Sequence, residues 1–155
     1  MITHPLKPII DKKSKVLILG SFPSVLSRKE MFYYANPQNR FWKVMEAVYS
    51  EPVIEREVFI LKHHLALWDV IQSCSIENSN DATIQDVIVN DIENLVHTYP
   101  IQLIILNGKK AESLFYEYFQ HLKIQVISCP STSSANAKFK LDDLVEHYKI
   151  VKEIK

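Results

Sequence analysis

The sequence predicts a single α/β domain built on a parallel sheet, and three observations carry that prediction. Three short apolar runs, "KVLILG", "LIILNG" and "KIQVISC", read as strands buried on both faces. Helix-periodic segments separate them. The chain has only two glycines in 155 residues, Gly20 and Gly108, and each closes one of these runs. Strands alternating with helices are the pattern of a parallel sheet with helical crossovers.

Taken in order, the first strand ends at Gly20. Beyond Asn39, the positions Phe41, Val44, Met45 and Val48 keep the i, i+3, i+4, i+7 spacing of an amphipathic helix. "HLALWDV", His64 to Val70, supplies a further strand. "DATIQDVIVNDIENLVHTY" reads as a helix around Ile84, Val87, Ile88, Ile92, Leu95 and Val96. "KKAESLFYEYFQHL" reads as another around Ala111, Leu114, Phe115 and Tyr118. The third apolar run ends at Cys129, and "LDDLVEHYKIVKEI" closes the chain as a helix.

Composition narrows the function classes. Eighteen basic side chains cancel eighteen acidic ones, so no global field draws in nucleic acid or an anionic membrane. A polyanion would have to be held by a local basic rim, for which Arg28, Lys29, Arg40, Lys109, Lys110, Lys138 and Lys140 are candidates. Cys74 and Cys129 have no metal-ligand spacing and cannot supply four thiolates to an iron–sulfur cluster. The N-terminal stretch lacks the apolar core of a signal peptide, and no apolar run is long enough to span a membrane. The expectation is one domain over residues 1–155, cytoplasmic and monomeric, with no metal.

In parallel α/β folds, ligands bind beyond the carboxyl ends of the strands. The loops after Gly20, Asp69, Gly108 and Cys129 are therefore expected to meet at one rim. "GSFPS", Gly20 to Ser24, is a stiff strand exit whose backbone N–H groups could hold a carbonyl or phosphate, or simply a turn. It is neither a nucleophile elbow nor a phosphate-binding P-loop. "YYANPQNRFW", Tyr33 to Trp42, puts four aromatic rings just before and into a helix. Phe41 falls on the apolar face of that helix. Tyr33 and Tyr34 precede Pro37 where no periodicity buries them, and a loop tyrosine there could stack on a planar base. Asn39 reads as a helix N-cap, as a group that orients a water, or as both. "CPSTSSANA" is a hydrophilic loop by composition. Its place directly after a buried strand also suits a hydrogen-bonding finger for phosphates in a groove.

Together, "GSFPS", "YYANPQNRFW", "LWDVIQSC" and "CPSTSSANA" resemble the uracil-DNA glycosylase superfamily, and most closely its hypoxanthine-DNA (deoxyinosine) glycosylase branch. The resemblance runs from about Lys15 to the last helix. It implies a three-layer α/β/α domain around a short four-stranded parallel sheet, with no cofactor and damaged double- or single-stranded DNA as the partner. The implied reaction is hydrolysis of the N-glycosidic bond of a flipped base, leaving an abasic site. By the same resemblance, Asn39 is the catalytic amide, Tyr34 stacks on the flipped base, and the backbone around Ser21 and Phe22 reads its edge. Asn36 offers a further base contact. Gly20, Pro23, Ser24, Gly108, Pro130, Ser131, Thr132, Ser133, Ser134, Asn136 and Lys138 are the implied DNA contacts.

Two positions depart from the pattern. Phe22 stands where mismatch-specific uracil glycosylases carry a water-positioning asparagine, and Cys129 where the second motif opens with His or Asn. Both losses suit a purine-directed catalyst better than a uracil-directed one. Excision of uracil or of a broader set of deaminated bases is the alternative on the same fold. A non-catalytic damage-binding module is favoured by Phe22, and a cysteine hydrolase would have to be built on Cys129.

Overall fold

In the computed structural model, residues 1–154 are described. The elements run β1 (Ile2–Thr3), β2 (Val16–Gly20), α1 (Val25–Glu30), α2 (Phe41–Tyr49), α3 (Arg56–Lys62), β3 (Leu65–Asp69) and β4 (Ile71–Ser75). They continue with β5 (Gln85–Val89), α4 (Ile92–Thr98), β6 (Leu103–Asn107), α5 (Lys109–Phe119), β7 (Gln125–Cys129) and α6 (Leu141–Tyr148). Short 3-10 turns at Asp81–Thr83 and Lys149–Lys152 complete the path.

The central sheet is parallel and four-stranded, in the order β3-β2-β6-β7. Its strands are the four runs expected from the sequence. Successive residues of a strand point to opposite faces, and the core divides accordingly. Val16, Ile18, Leu65, Leu67, Leu103 and Ile105 pack with α2, α3 and α6 on one face. Leu17, Leu19, Ala66, Ile104 and Leu106 pack with α4 and α5 on the other. That is the three-layer α/β/α arrangement.

One expectation is corrected. The segment 81–99 is not a continuous helix. Gln85–Val89 is a strand that pairs antiparallel with β4, and only Ile92–Thr98 is helical. With β1 it forms a second, three-stranded sheet in the order β1-β4-β5. β5 is an edge strand with Ile88 half-exposed, so its apolar residues follow neither strict alternation nor a buried run. Their chance match to helical spacing misled the period reading.

This small sheet matters for the site. β4 follows β3 after one residue, and β1 lies along β4 with Thr3 opposite Ser73. The chain entering from β1 is thereby carried past the carboxyl end of β3, where His4 meets Asp69.

Candidate active site

The carboxyl ends of β2, β3 and β6 and the loop after β7 surround one small cavity of about 150 Å³. Gly20, Ser21 and Phe22 form one wall, Tyr34 and Asn39 a second, and Ser131–Ser134 a third; Asp69 and Asn107 also line it. The loops expected to meet do meet.

Gly20 is the tightest point of the wall. A Cβ there would come within 2.5 Å of Asp69 Oδ1 and 3.4 Å of Tyr34 Oη. The carbonyls of Gly20 and Ser21 are already taken by the Val70 and Ile71 N–H groups, at 2.9 and 3.1 Å. Ser21 donates its hydroxyl to Asp81 Oδ1 at 3.2 Å. Asp81 stays solvent-exposed at the rim, yet the surrounding wall pushes its pKa above the usual carboxylate range, against the lowering effect of the Ser21 bond and Lys110. Ser24 caps α1 by accepting the Ser27 N–H at 3.1 Å, and Pro23 stiffens the turn between. Phe22 is buried edge-on against the His4 ring.

Asn39 sits within a hydrogen-bonded chain. Its Oδ1 accepts the Phe41 N–H at 2.9 Å and the Thr132 hydroxyl at 2.8 Å. Thr132 Oγ1 in turn accepts from Asn107 Nδ2 at 3.1 Å, and the Thr132 N–H reaches Asn107 Oδ1 at 3.0 Å. The Phe41 N–H fixes which end of the Asn39 amide is oxygen. Both lone pairs of that oxygen are then used. What Asn39 can still offer the cavity is its N–H groups. The N-cap reading is corrected: Arg40 is the N-cap of α2, and Asn39 stands one residue before it, its side chain reaching two residues ahead to the first N–H of the helix.

The two tyrosines separate. Tyr33 is a core residue, its hydroxyl bonded to the Lys7 carbonyl at 2.8 Å, contrary to the expectation that neither tyrosine is buried. Its burial follows from tertiary packing under Trp42, whose indole N–H donates to the Tyr33 carbonyl at 3.1 Å. Tyr34 adopts a left-handed backbone (φ 54°) and lays its ring on Phe41, centroids 4.1 Å apart. One ring face is therefore occupied, and a base has at most the other. Among the described residues the buried Tyr34 hydroxyl has no hydrogen-bond partner at normal geometry, although the Asn107 side chain is near enough to lower its pKa slightly. Burial, and then the Asp69 charge, raise its pKa far above that of an ordinary phenol. Asn36 is turned on itself, its Oδ1 accepting the Gln38 N–H at 2.9 Å.

Arg40 is not part of the expected basic rim. Its guanidinium donates to the carbonyls of Thr132 (3.4 Å), Ser133 (2.8 Å), Asn136 (3.1 Å) and Phe139. Arg28 is likewise spent on the carbonyls of Asn78 and Ser24. Arginine's fork of donors favours such bracing over a solvated surface role. Within the braced loop, Asn136 Nδ2 bonds the Ser131 carbonyl at 3.1 Å, Ser133 N–H reaches Ser131 Oγ at 3.1 Å, and Tyr148 holds the Pro130 carbonyl at 3.1 Å. Gly108 has φ 100°, and a Cβ would meet Ser131 Cβ at 3.0 Å, so its first duty is close packing against this loop. Lys109, Lys110 and Lys138 line a larger open groove that runs on from the cavity past Ser131, Ser133 and Asn136.

Cys129 is buried, its thiol donating to the His147 carbonyl at 3.6 Å, and burial pushes its pKa up to about 12. A thiol so held is not a nucleophile. Among the described residues no group of three or more His, Cys, Asp or Glu is arranged to hold a metal ion, and no helix is long and apolar enough to cross a membrane.

The residues that sequence reasoning missed are Asp69, His4, Asn107 and Asp81. Two had a signal: Asp69 and Asn107 are the polar endings of apolar strand runs. His4 and Asp81 had none.

The profile of the uracil DNA glycosylase superfamily matches residues 8–153, and the chain belongs to that superfamily. A protein of Methanosarcina acetivorans named hypoxanthine DNA glycosylase is 34% identical over 145 residues, covering 90% of this chain and 91% of the relative. One of the same name from Methanosarcina barkeri is 32% identical over 110 residues, covering 67% of this chain and 70% of its own. A solution NMR structure from Methanosarcina acetivorans, titled as a candidate uracil DNA glycosylase, superposes with a TM-score of 0.85 at 30% identity, over 99% of this chain and 98% of that one.

Proposed function

We propose that this chain is a monofunctional DNA glycosylase for deaminated bases in DNA, with hypoxanthine preferred. The observation that supports it most is the strand-end cavity, polar at Asn39, Asp69 and Asn107, opening onto a groove with three lysines. Near-full-length similarity to a protein named hypoxanthine DNA glycosylase supports the choice of base.

The reaction adds water to C1′ of the nucleotide. The C1′–N9 bond breaks, its electron pair leaves with the purine, and a proton returns to the base. A C1′ with oxocarbenium character demands little proton removal from the water at first, so a positioned amide suffices where a strong base is absent. In this site Asn39 would act through its N–H groups, which hold the oxygen of the attacking water, because its carbonyl oxygen is already saturated. Extrusion of the base costs a few kcal/mol and least for a mispaired one. The lysine-lined groove would take the flanking phosphates.

The test is single-turnover cleavage of duplexes carrying one hypoxanthine, uracil or xanthine, followed by alkali. Strand cleavage at hypoxanthine, lost in Asn39→Ala, is the expected result. Binding to lesions with no cleavage of any of them would overturn it in favour of a damage-binding module, the reading that Phe22 in the first loop favours.

A further inference from the structure

Two polar groups of the cavity wall have bonding capacity unused: Asp69 Oδ1 and the Tyr34 hydroxyl, which lie 2.5 and 3.4 Å from the point where a Gly20 Cβ would stand. Asp69 is 4% exposed. Its Oδ2 accepts the Nε2–H of His4 at 2.7 Å, and the His4 side chain is 2% exposed. His4 Nδ1 accepts the Leu6 N–H at 3.1 Å, which leaves the ring proton on Nε2 and fixes the direction of the His4–Asp69 bond. Among the described residues, none donates a hydrogen bond to Asp69 Oδ1. It faces Gly20, close to the point that also lies 3.4 Å from the unpartnered Tyr34 hydroxyl. Buried polar groups are as a rule hydrogen-bonded, and those left open mark a place for something else.

We propose that Asp69 Oδ1 and the Tyr34 hydroxyl read the lactam edge of the flipped base, its ring N–H and adjacent carbonyl, and that Asp69 is the residue separating hypoxanthine and uracil from adenine and cytosine. The inference rests on the glycosylase reading above. Deamination of adenine turns N1 from an acceptor into an N–H donor and replaces the amino donor at C6 with a carbonyl acceptor. An acceptor beside a hydroxyl donor matches hypoxanthine at both positions. Against adenine it sets acceptor against acceptor at N1, while the hydroxyl can turn to accept from the C6 amino group, so the discrimination falls to Asp69. Xanthine and uracil present the same lactam edge, so Asp69 sorts by that edge and leaves ring size to the rest of the cavity. Guanine shares the edge as well, and there the cost of extruding a correctly paired base provides the discrimination. His4 is a positioning residue. By holding Oδ2 it decides which carboxylate oxygen faces the cavity.

Asp69→Asn tests this with little change of shape. The His4 Nε2–H still requires an acceptor, so the new amide turns its oxygen to His4 and its NH₂ to the cavity, replacing an acceptor with a donor. The probe pair is a duplex with 2′-deoxyinosine and one with 2′-deoxynebularine, whose purine lacks both the N1–H and the C6 carbonyl. Comparing the inosine-to-nebularine ratio between proteins cancels the intrinsic lability of each base. The wild type should favour inosine by about 10- to 100-fold more than Asp69→Asn does, the range for a hydrogen bond to a charged group. Tyr34→Phe should lose a smaller part of the same preference. An unchanged ratio in a folded Asp69→Asn protein overturns the proposal. So does a wild type that binds the non-hydrolysable 2′-fluoro versions of both duplexes alike, a comparison free of base lability that holds even if the variant does not fold. Binding of non-hydrolysable 2′-fluoro versions keeps the two readings apart. Preference for the inosine analogue without any cleavage supports the edge reading and overturns the glycosylase. Cleavage of inosine and nebularine without preference does the reverse.

Discussion

Thr132 donates its hydroxyl to Asn39 Oδ1 at 2.8 Å while accepting from Asn107 at 3.1 Å. This one hydroxyl links the loop after β7 to the end of β6 and to the amide proposed to hold the water. The link determines which half of that amide is available for chemistry, and it leads to two distinguishable substitutions.

Asn39→Ala should lower single-turnover excision by at least ~10²-fold, the scale for losing a positioned catalytic group. Asn39→Asp is more informative. A carboxylate can still accept from the Phe41 N–H and Thr132 hydroxyl, but it has no N–H to give. Excision should fall with the aspartate almost as far as with alanine. A rate equal to or above the parent's would mean that the water is held by an oxygen acceptor instead.

Thr132→Val keeps the shape and removes the link. Asn107 loses a partner in a buried setting and Asn39 in a half-buried one, a cost of about 1–3 kcal/mol in stability. Chemical denaturation measures that loss. The effect of Thr132→Val on excision should largely vanish in the Asn39→Ala background, since residues joined in one network do not act additively.

Arg40 and Lys138 should separate in a salt titration. Arg40→Lys loosens the loop it braces, weakening DNA binding with little change in salt dependence, because its charge is spent on carbonyls. Lys138→Ala removes a charge from the groove and should reduce the slope of log K against log salt by about 1. Equal slopes in the parent and Lys138→Ala would take Lys138 away from the phosphates.

Asp81 gives a pH signature. Its folded-state pKa is raised chiefly by the desolvation that the surrounding wall imposes on the carboxyl, although the residue as a whole stays exposed. A carboxyl whose pKa is raised in the folded state favours folding below its unfolded pKa, and that advantage is lost as pH rises through the folded value. Asp81→Asn removes the titration. Melting curves should show the variant gaining on the parent as pH climbs from below about 4, the ordinary aspartate value, with the gap levelling off once Asp81 is ionised in both states. A gap independent of pH would contradict the raised pKa.

The parallel sheet was legible because a strand covered on both faces must be apolar at every position, and Val16–Leu19 and Leu103–Leu106 are. The cavity's location was legible for a topological reason, since strand ends of a parallel sheet converge. β5 was not, because an edge strand need not declare a period. The pairing of His4 with Asp69 spans 65 positions and depends on β1 docking along β4, a two-residue strand that no pattern announces. Arg40 reads as a surface cation in the sequence. Only the fold shows that its donors are surrounded by carbonyls.

Gly20 and Gly108 are the chain's entire supply of glycine, and each faces a site residue, Asp69 in one case and Ser131 in the other, at a distance that a methyl group would violate. The depth of the cavity at one wall and the seating of the loop at the other are therefore gauged by two missing atoms. A chemist searching a sequence for reactive groups would pass over both positions. Here the closeness of a carboxylate to a strand end is written as the lack of a side chain, a contribution that shows only when something is added.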